Sequence, residues 1–130
     1  MPTPALITVV LATYNWPKAL NLCLQSLAQQ DDQHFEVVIA DDGSLPDTAA
    51  LIARIQKDFP VLLQHEWQPD QGFRKVKILN QAIQASRGSY LVFLDGDCLV
   101  QPDFIAQHRR LAQAGAMTTG SRILLSPELT

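Results

Sequence analysis

Tyr90-Leu91-Val92-Phe93-Leu94-Asp95-Gly96-Asp97-Cys98 decides how the rest of the chain is read. Five apolar or aromatic residues run straight into two carboxylates separated by one glycine. Such a run, rich in aromatic and branched side chains, predicts a strand over Tyr90–Leu94 buried on both faces. Asp95 and Asp97 then stand where that strand leaves its sheet. Ligands of open α/β sheets bind outside the carboxyl ends of the strands. Two residues apart on extended backbone, both side chains point the same way. They repel unless a positive charge lies between them, and a hard divalent cation is the usual partner. Gly96 lets the backbone turn tightly and approach a ligand. Two solvated carboxylates in a loop is the simpler reading of Asp-x-Asp alone, so its neighbours matter.

Working outward, the same pattern of strand followed by polar turn recurs. Leu6–Ala12 is an apolar run that ends in Thr13-Tyr14-Asn15 and Trp16-Pro17. Phe35–Ala40 is a second, ending in Asp41-Asp42-Gly43-Ser44. Val61–His65 predicts a third strand, and Trp67–Gly72 a loop. Helices are predicted between them. One starts at Pro17, where the missing N–H costs nothing, and carries Leu20, Leu24 and Leu27 at helical spacing. The others cover Pro46–Asp58, Phe73–Ser86 with Gly88 as a stop, and Pro102–Ala114. One more strand is expected within Ala116–Leu125. Alternating strands and helices predict an α/β fold: a Rossmann-like, mainly parallel sheet with helices on both faces and right-handed crossovers. Residues 1–130 read as one domain, without internal repeat or linker.

Composition bounds the function. The 130 residues are 47% hydrophobic and 18% charged, an ordinary globular balance. A net charge of −3 and a pI near 5.4 argue against a nucleic-acid surface. No stretch reads as a signal peptide or a membrane span, so a cytoplasmic location is expected, with the inner face of the membrane as its alternative. Cys23 and Cys98 form no Cys-x-x-Cys pair and read as two inert thiols. His34, His65 and His108 lack metal-ligand spacing and are read as structural or surface residues.

If the strands are parallel, three polar strand ends converge on one sheet edge: Thr13-Tyr14-Asn15, Asp41-Asp42-Gly43-Ser44 and Asp95-Gly96-Asp97. That edge is an acidic cleft with room for a nucleotide and a metal. Asp42 could accept from a base or a ribose hydroxyl, or hold its own turn. Gly72, Arg74 and Lys77 open the third helix, where an anion is favoured by free N–H groups and basic side chains. A solvated helix face is the alternative there. Trp16 and Trp67 flank the edge, and Asn80 is placed to tie the third helix to the acidic loop.

These segments, in this order and spacing, resemble a family 2 glycosyltransferase of GT-A fold. Val9–Asn15, Val38–Ser44, Gly72-Phe73-Arg74 leading to Asn80, and Phe93–Asp97 carry the resemblance, which covers nearly the whole chain. It implies a nucleotide-diphosphate sugar, usually UDP-linked, in the cleft. Ala12 and Tyr14, with Thr13 and Asn15 beside them, match the nucleotide pocket. Asp42 matches the acid that meets the base, with Asp41 beside it. Asp97 matches the direct ligand of Mn²⁺ or Mg²⁺, and Asp95 the carboxylate facing the ribose and the metal's waters. Gly72 and Arg74 match the segment closing over the donor. Leu79 stands where the family often has arginine, which leaves Lys77 as an alternative phosphate contact. The Gly-Phe-Arg and Asp-Cys forms resemble bacterial enzymes that build surface polysaccharide or lipopolysaccharide.

Family members are about twice this long, and the further half carries the acceptor site and the catalytic base. The resemblance therefore implies a base beyond Thr130, and no residue of this chain is matched to that role. The chain is expected to be the donor-binding half of a metal-dependent, inverting transferase. That implies weak donor binding, little transfer, a glycan or lipid-linked acceptor for the whole enzyme, and self-association through the exposed edge. Two rivals stand beside this: a nucleotide-binding module without catalysis, and a haloacid-dehalogenase-like phosphatase. The second would need a Thr or Val close behind its first Asp, where this chain has Cys98 and Leu99.

Overall fold

The central strand is β1 (Ile7–Thr13), and its first five residues are buried. The computed structural model describes residues 6–69, 75–113 and 123–124. Around β1 lie β2 (Phe35–Asp41), β3 (Leu63–Trp67) and β4 (Tyr90–Asp95), all parallel, in the order β3-β2-β1-β4. The α/β sheet expected from the sequence is therefore present.

Alternation along each strand sorts two cores. Ile7, Val9 and Leu11 of β1, Phe35, Val37 and Ile39 of β2, and Val92 and Leu94 of β4 face one side. There they meet α1 (Pro17–Ala28), α2 (Pro46–Gln56) and α4 (Phe104–Gln113). Val10, Val38 and Ala40 face the other side and meet Ile78 and Ala82 of α3 (Lys75–Ala85). Each helix buries a stripe at three- and four-residue spacing: Leu20, Cys23, Leu24 and Leu27 on α1, Thr48, Leu51 and Ile52 on α2. Pro17 and Pro46 open α1 and α2, at positions where a lost N–H is harmless.

The strand order has a functional consequence. From β1 the chain passes through α1 to β2 and through α2 to β3, stepping one way across the sheet. It then crosses by α3, on the opposite face, to β4 on the far side of β1. The winding reverses between β1 and β4, and a crevice opens at such a switch point. Register puts Ala12 beside Asp95 there, and Thr13 beside Asp41.

Most boundaries differ from the sequence expectation by one or two residues, the second helix for example ending at Gln56 rather than Asp58. The third strand runs from Leu63 to Trp67 rather than from Val61 to His65, because pairing with β2 starts at Val37 and Leu63. Glu66 makes its second half look like loop, but this strand borders the sheet, and its carboxylate accepts from Gln81 Nε2 at 3.2 Å. The fourth helix begins at Phe104, two residues late. Within the expected last strand only β6 (Ile123–Leu124) is described, and it pairs antiparallel with β5 (Cys98–Leu99), a ribbon the sequence did not suggest. The expected start of the third helix at Phe73 lies outside the described residues.

Candidate functional site at the switch point

Asp95 ends β4 and Gly96 turns the chain. The Gly96 N–H donates to the Ala12 carbonyl at 2.6 Å, which draws the acidic turn against the end of β1. A side chain at Gly96 would sit 2.9 Å from that oxygen and 3.2 Å from Thr13, so the close approach requires glycine. Asp95 and Asp97 are both half-buried. The Cys98 thiol lies 3.6 Å from Asp97 Oδ1.

The second polar turn is tied to the first. The Asp42 N–H donates to the Thr13 carbonyl at 3.3 Å. Asn15 adopts φ 46°, a left-handed conformation that asparagine tolerates. Its N–H donates to Ser44 Oγ at 2.8 Å, and its Oδ1 accepts from the Leu45 N–H at 2.7 Å. Gly43, at φ 89°, makes the bend between them. The end of β3 closes the group. Trp67 Nε1 donates to the Ser44 carbonyl at 3.2 Å, and the Gln68 N–H to the Asp41 carbonyl at 3.2 Å.

The two acids of the β2 turn have different surroundings. Asp41 is fully buried. Its Oδ1 accepts from the Ser44 N–H at 2.9 Å, and its Oδ2 lies 2.8 Å from His65 Nε2. Asp41 therefore shapes the turn from inside. Asp42 is half-buried, and its Oδ1 accepts from Gln68 Nε2 at 2.6 Å. Tyr14 is 50% exposed and Trp67 48%, so each presents an aromatic face at the sheet edge.

Among the residues singled out from sequence, the structure brings together Ala12, Thr13, Asn15, Asp41, Asp42 and Asp95 through strand register and the loop hydrogen bonds. Asp97 follows on the same turn. Lys77 is exposed near the start of α3. Gly72 and Arg74 lie outside the described residues. So does Thr130, beyond which the catalytic base is expected, and no described residue is assigned that role. Asn80, expected to reach the acidic loop, is an exposed residue of α3. Two contributors went unrecognised: His65 and Gln68. The sequence reads His65 as structural or surface and places Gln68 in a loop. Only the pairing of β3 with β2 brings these residues to the acidic turn.

The carboxylates of Asp95 and Asp97 are hard oxygen donors and fit a hard divalent cation. No group of three His, Cys, Asp or Glu able to hold a metal is found among the described residues. An ion such as Mg²⁺ is commonly held by one or two carboxylates, with water and phosphate oxygens in the rest of its shell. The Cys23 thiol is not suited to such a site. Burial pushes Cys23 up to about 12, helped by nearby Cys98, Asp97 and Asp95, so it stays protonated.

Known proteins are similar to this chain in sequence and in fold. EpsH of Bacillus subtilis, named as a glycosyltransferase, is 35% identical over 115 residues, covering 86% of this chain and 31% of its own. S. aureus TarS 1–349, solved with UDP-GlcNAc, superposes with a TM-score of 0.72 at 25% identity, over 83% of this chain and 31% of that one. The mannosyltransferase PcManGT from Pyrobaculum calidifontis, solved with GDP-Man and Mn²⁺, gives 0.72 at 25% identity, over 82% and 32%. The chain thus spans about a third or less of these relatives, rather than the half that the resemblance implies. No helix among the described residues is long and apolar enough to cross a membrane. The family model described as glycosyl transferase family 2 matches residues 8–127, and the chain belongs to that family.

Proposed function

We propose that this chain binds the donor, a UDP-linked sugar, for a metal-dependent, inverting glycosyltransferase whose acceptor is a glycan or lipid-linked glycan of the bacterial surface. The observation that carries this is the register at the switch point, where Ala12 lies beside Asp95 and Thr13 beside Asp41. It gathers the ends of β1, β2 and β4 around one crevice. Relatives solved with UDP-GlcNAc and with GDP-Man and Mn²⁺ support a nucleotide sugar and a divalent ion.

In this reading Asp42 accepts a hydrogen bond from the base, and Tyr14 lies along the nucleotide. Asp41, held by His65 and Ser44, keeps the turn that presents Asp42. Asp95 meets the ribose side of the donor. Asp97, with Asp95, would hold Mn²⁺ or Mg²⁺, which when bound neutralises charge on the departing diphosphate. Lys77, with Gly72 and Arg74 before it, supplies the basic side of the phosphate site. Donor binding is the activity assigned to these residues, and the base that deprotonates the acceptor is assigned to none of them.

The test is calorimetric titration of UDP into the chain with and without Mn²⁺, repeated on Asp97→Ala. Binding that needs both the ion and Asp97 is expected. UDP affinity indifferent to both would remove the metal role, and absence of any binding by a chain folded by circular dichroism would remove the donor site.

A further inference from the structure

Asp41 interrupts an apolar stripe. On β2, Phe35, Val37 and Ile39 face the core beneath α1 and α2, and Asp41 is the next side chain on that face. It is fully buried, and both of its oxygens are engaged: Oδ1 by the Ser44 N–H at 2.9 Å, Oδ2 by His65 Nε2 at 2.8 Å. A carboxylate only accepts, so the ring nitrogen facing it must donate. His65 lies beside Ile39 in the β2–β3 register and reaches forward to Asp41. An apolar pair of similar volume is commonly no less stable than a buried polar one. The use of this pair is to be sought in the geometry it fixes.

That geometry is passed on through Ser44. Its N–H is the one Asp41 accepts, and its hydroxyl accepts the Asn15 N–H at 2.8 Å. Asn15 stands at φ 46° and accepts the Leu45 N–H on Oδ1 at 2.7 Å. A residue other than glycine keeps such a conformation where its surroundings hold it. His65, Asp41, Ser44 and Asn15 thus link β3 to the turns after β2 and β1, which carry Asp42 and Tyr14. The Asp-x-Asp turn is held elsewhere, by the Gly96 N–H on the Ala12 carbonyl at 2.6 Å. In the order β3-β2-β1-β4, three strand spacings lie between His65 and that turn, about 14 Å.

We propose that His65 is a positioning residue for the nucleoside half of the donor site. Its Nε2–H holds Asp41, and through Asp41 and Ser44 the two turns that receive the nucleoside, while the metal half is built without it. The proposal rests on the donor-site reading above.

The experiment titrates the chain with UDP and Mn²⁺, and separately with Mn²⁺ and inorganic pyrophosphate, which lacks the nucleoside. His65→Leu removes the ring donor, and His65→Gln returns an N–H on its amide nitrogen. UDP should bind at least about tenfold more weakly to His65→Leu, the scale of a hydrogen bond to a charged group, and within about threefold of wild type to His65→Gln. Pyrophosphate with Mn²⁺ should bind all three alike. Ser44→Ala removes the hydroxyl that accepts the Asn15 N–H and should also lose UDP affinity while keeping pyrophosphate. It carries the test if circular dichroism shows His65→Leu to be unfolded. Unchanged UDP affinity in a folded His65→Leu overturns the proposal. So does an equal loss of UDP and pyrophosphate, which marks a general loss of structure. A His65→Gln variant as weak as His65→Leu also overturns it, because ring packing and not the Nε2–H would then be responsible. Wild type that takes pyrophosphate with Mn²⁺ no better than Asp97→Ala does would refute the separate metal half. Each of these leaves UDP binding by the wild type, and so the donor site, in place. Wild type that binds no UDP would remove the donor site and the proposal together.

Discussion

Gly96 has no room for a side chain, because the atom in the way is the backbone carbonyl of Ala12, which is held in the sheet. Gly96→Ala must push the acidic turn off β1. A stability loss of about 1–3 kcal/mol is expected, as for other overpacked sites. UDP binding should weaken with it, because Asp95 and Asp97 move with the turn. A thermal melt and a UDP titration check this, and an unchanged variant in both would contradict the close packing. His108 makes a second prediction at this scale. It is buried on α4, edge-on to Phe104 at 4.7 Å, with Tyr90 Oη 3.4 Å from Nδ1. Burial lowers its pKa from the usual 6.5, so the folded state favours the neutral ring. The unfolded chain then binds the proton more readily, and stability should fall as pH drops from about 6.5 toward the folded value. His108→Phe should flatten that slope in urea melts between pH 7 and 5; an equal slope in both proteins would exclude His108 as its source.

At the scale of elements, α4 is docked by polar contacts as well as by Phe104 and Ile105. Gln30, buried at the end of α1, donates through Nε2 to the Gln101 carbonyl at 2.6 Å and accepts the Ile105 N–H on Oε1 at 2.9 Å. The Gln101 carbonyl keeps the Phe104 N–H at 3.0 Å, so Gln30→Ala strands chiefly the Ile105 N–H and should cost about 1–3 kcal/mol, measured by denaturant unfolding. Arg109 reaches from α4 to Asp32 and to the His34 carbonyl. Burial pushes Asp32 up, but the Arg109 hydrogen bond, the His34 N–H and the charges of Arg109 and His34 outweigh it, and the net shift is below 3.8. That contribution is complete above the unfolded carboxylate pKa and lost as pH falls through the lower folded value. Arg109→Ala should therefore reduce the acid-limb dependence below about pH 4 and leave the His108 limb alone; loss of both limbs together would mean α4 had detached. The elements themselves were legible where burial is two-sided. β1 and β2 appeared as unbroken apolar runs because helices cover both their faces, whereas β4, expected to be buried on both faces, is covered on one: Val92 and Leu94 are buried and Phe93 is 53% exposed. β3 was misplaced by two residues because its polar half pairs with one neighbour only. The site followed the same division: Asp95, Asp97 and Asp42 announce themselves as acids at strand ends. Gln68 and His65 do not, because their meaning depends on Trp67 lying beside Asp41, a contact 26 residues apart in the chain.

For the whole molecule, the crevice is also the seam along which the sheet is tied together at its carboxyl edge. Ala12 and Thr13 receive the Gly96 and Asp42 N–H groups, Asn15 and Ser44 exchange hydrogen bonds with each other's turns, and Trp67 closes on Ser44. A ligand spanning Asp42 and Asp95 therefore bridges β2, β1 and β4, whose neighbours lie about 4.8 Å apart. Such a ligand binds the folded chain and has no comparable partner in the unfolded one. At a hundredfold excess over its Kd, linkage gives about 2.7 kcal/mol of added stability, and a chain of this size should melt several degrees higher. UDP with Mn²⁺ should produce that rise in the wild type, and EDTA should remove it. In the proposed reading Asp97→Ala should melt near the ligand-free wild type and gain little from UDP with Mn²⁺, because the half-buried side chain is assigned to the ion and not to the core. If UDP raises the melting temperature equally with EDTA present and in Asp97→Ala, the nucleotide is held by the β1 and β2 turns alone. The Asp-x-Asp turn would then act on a later step than donor binding.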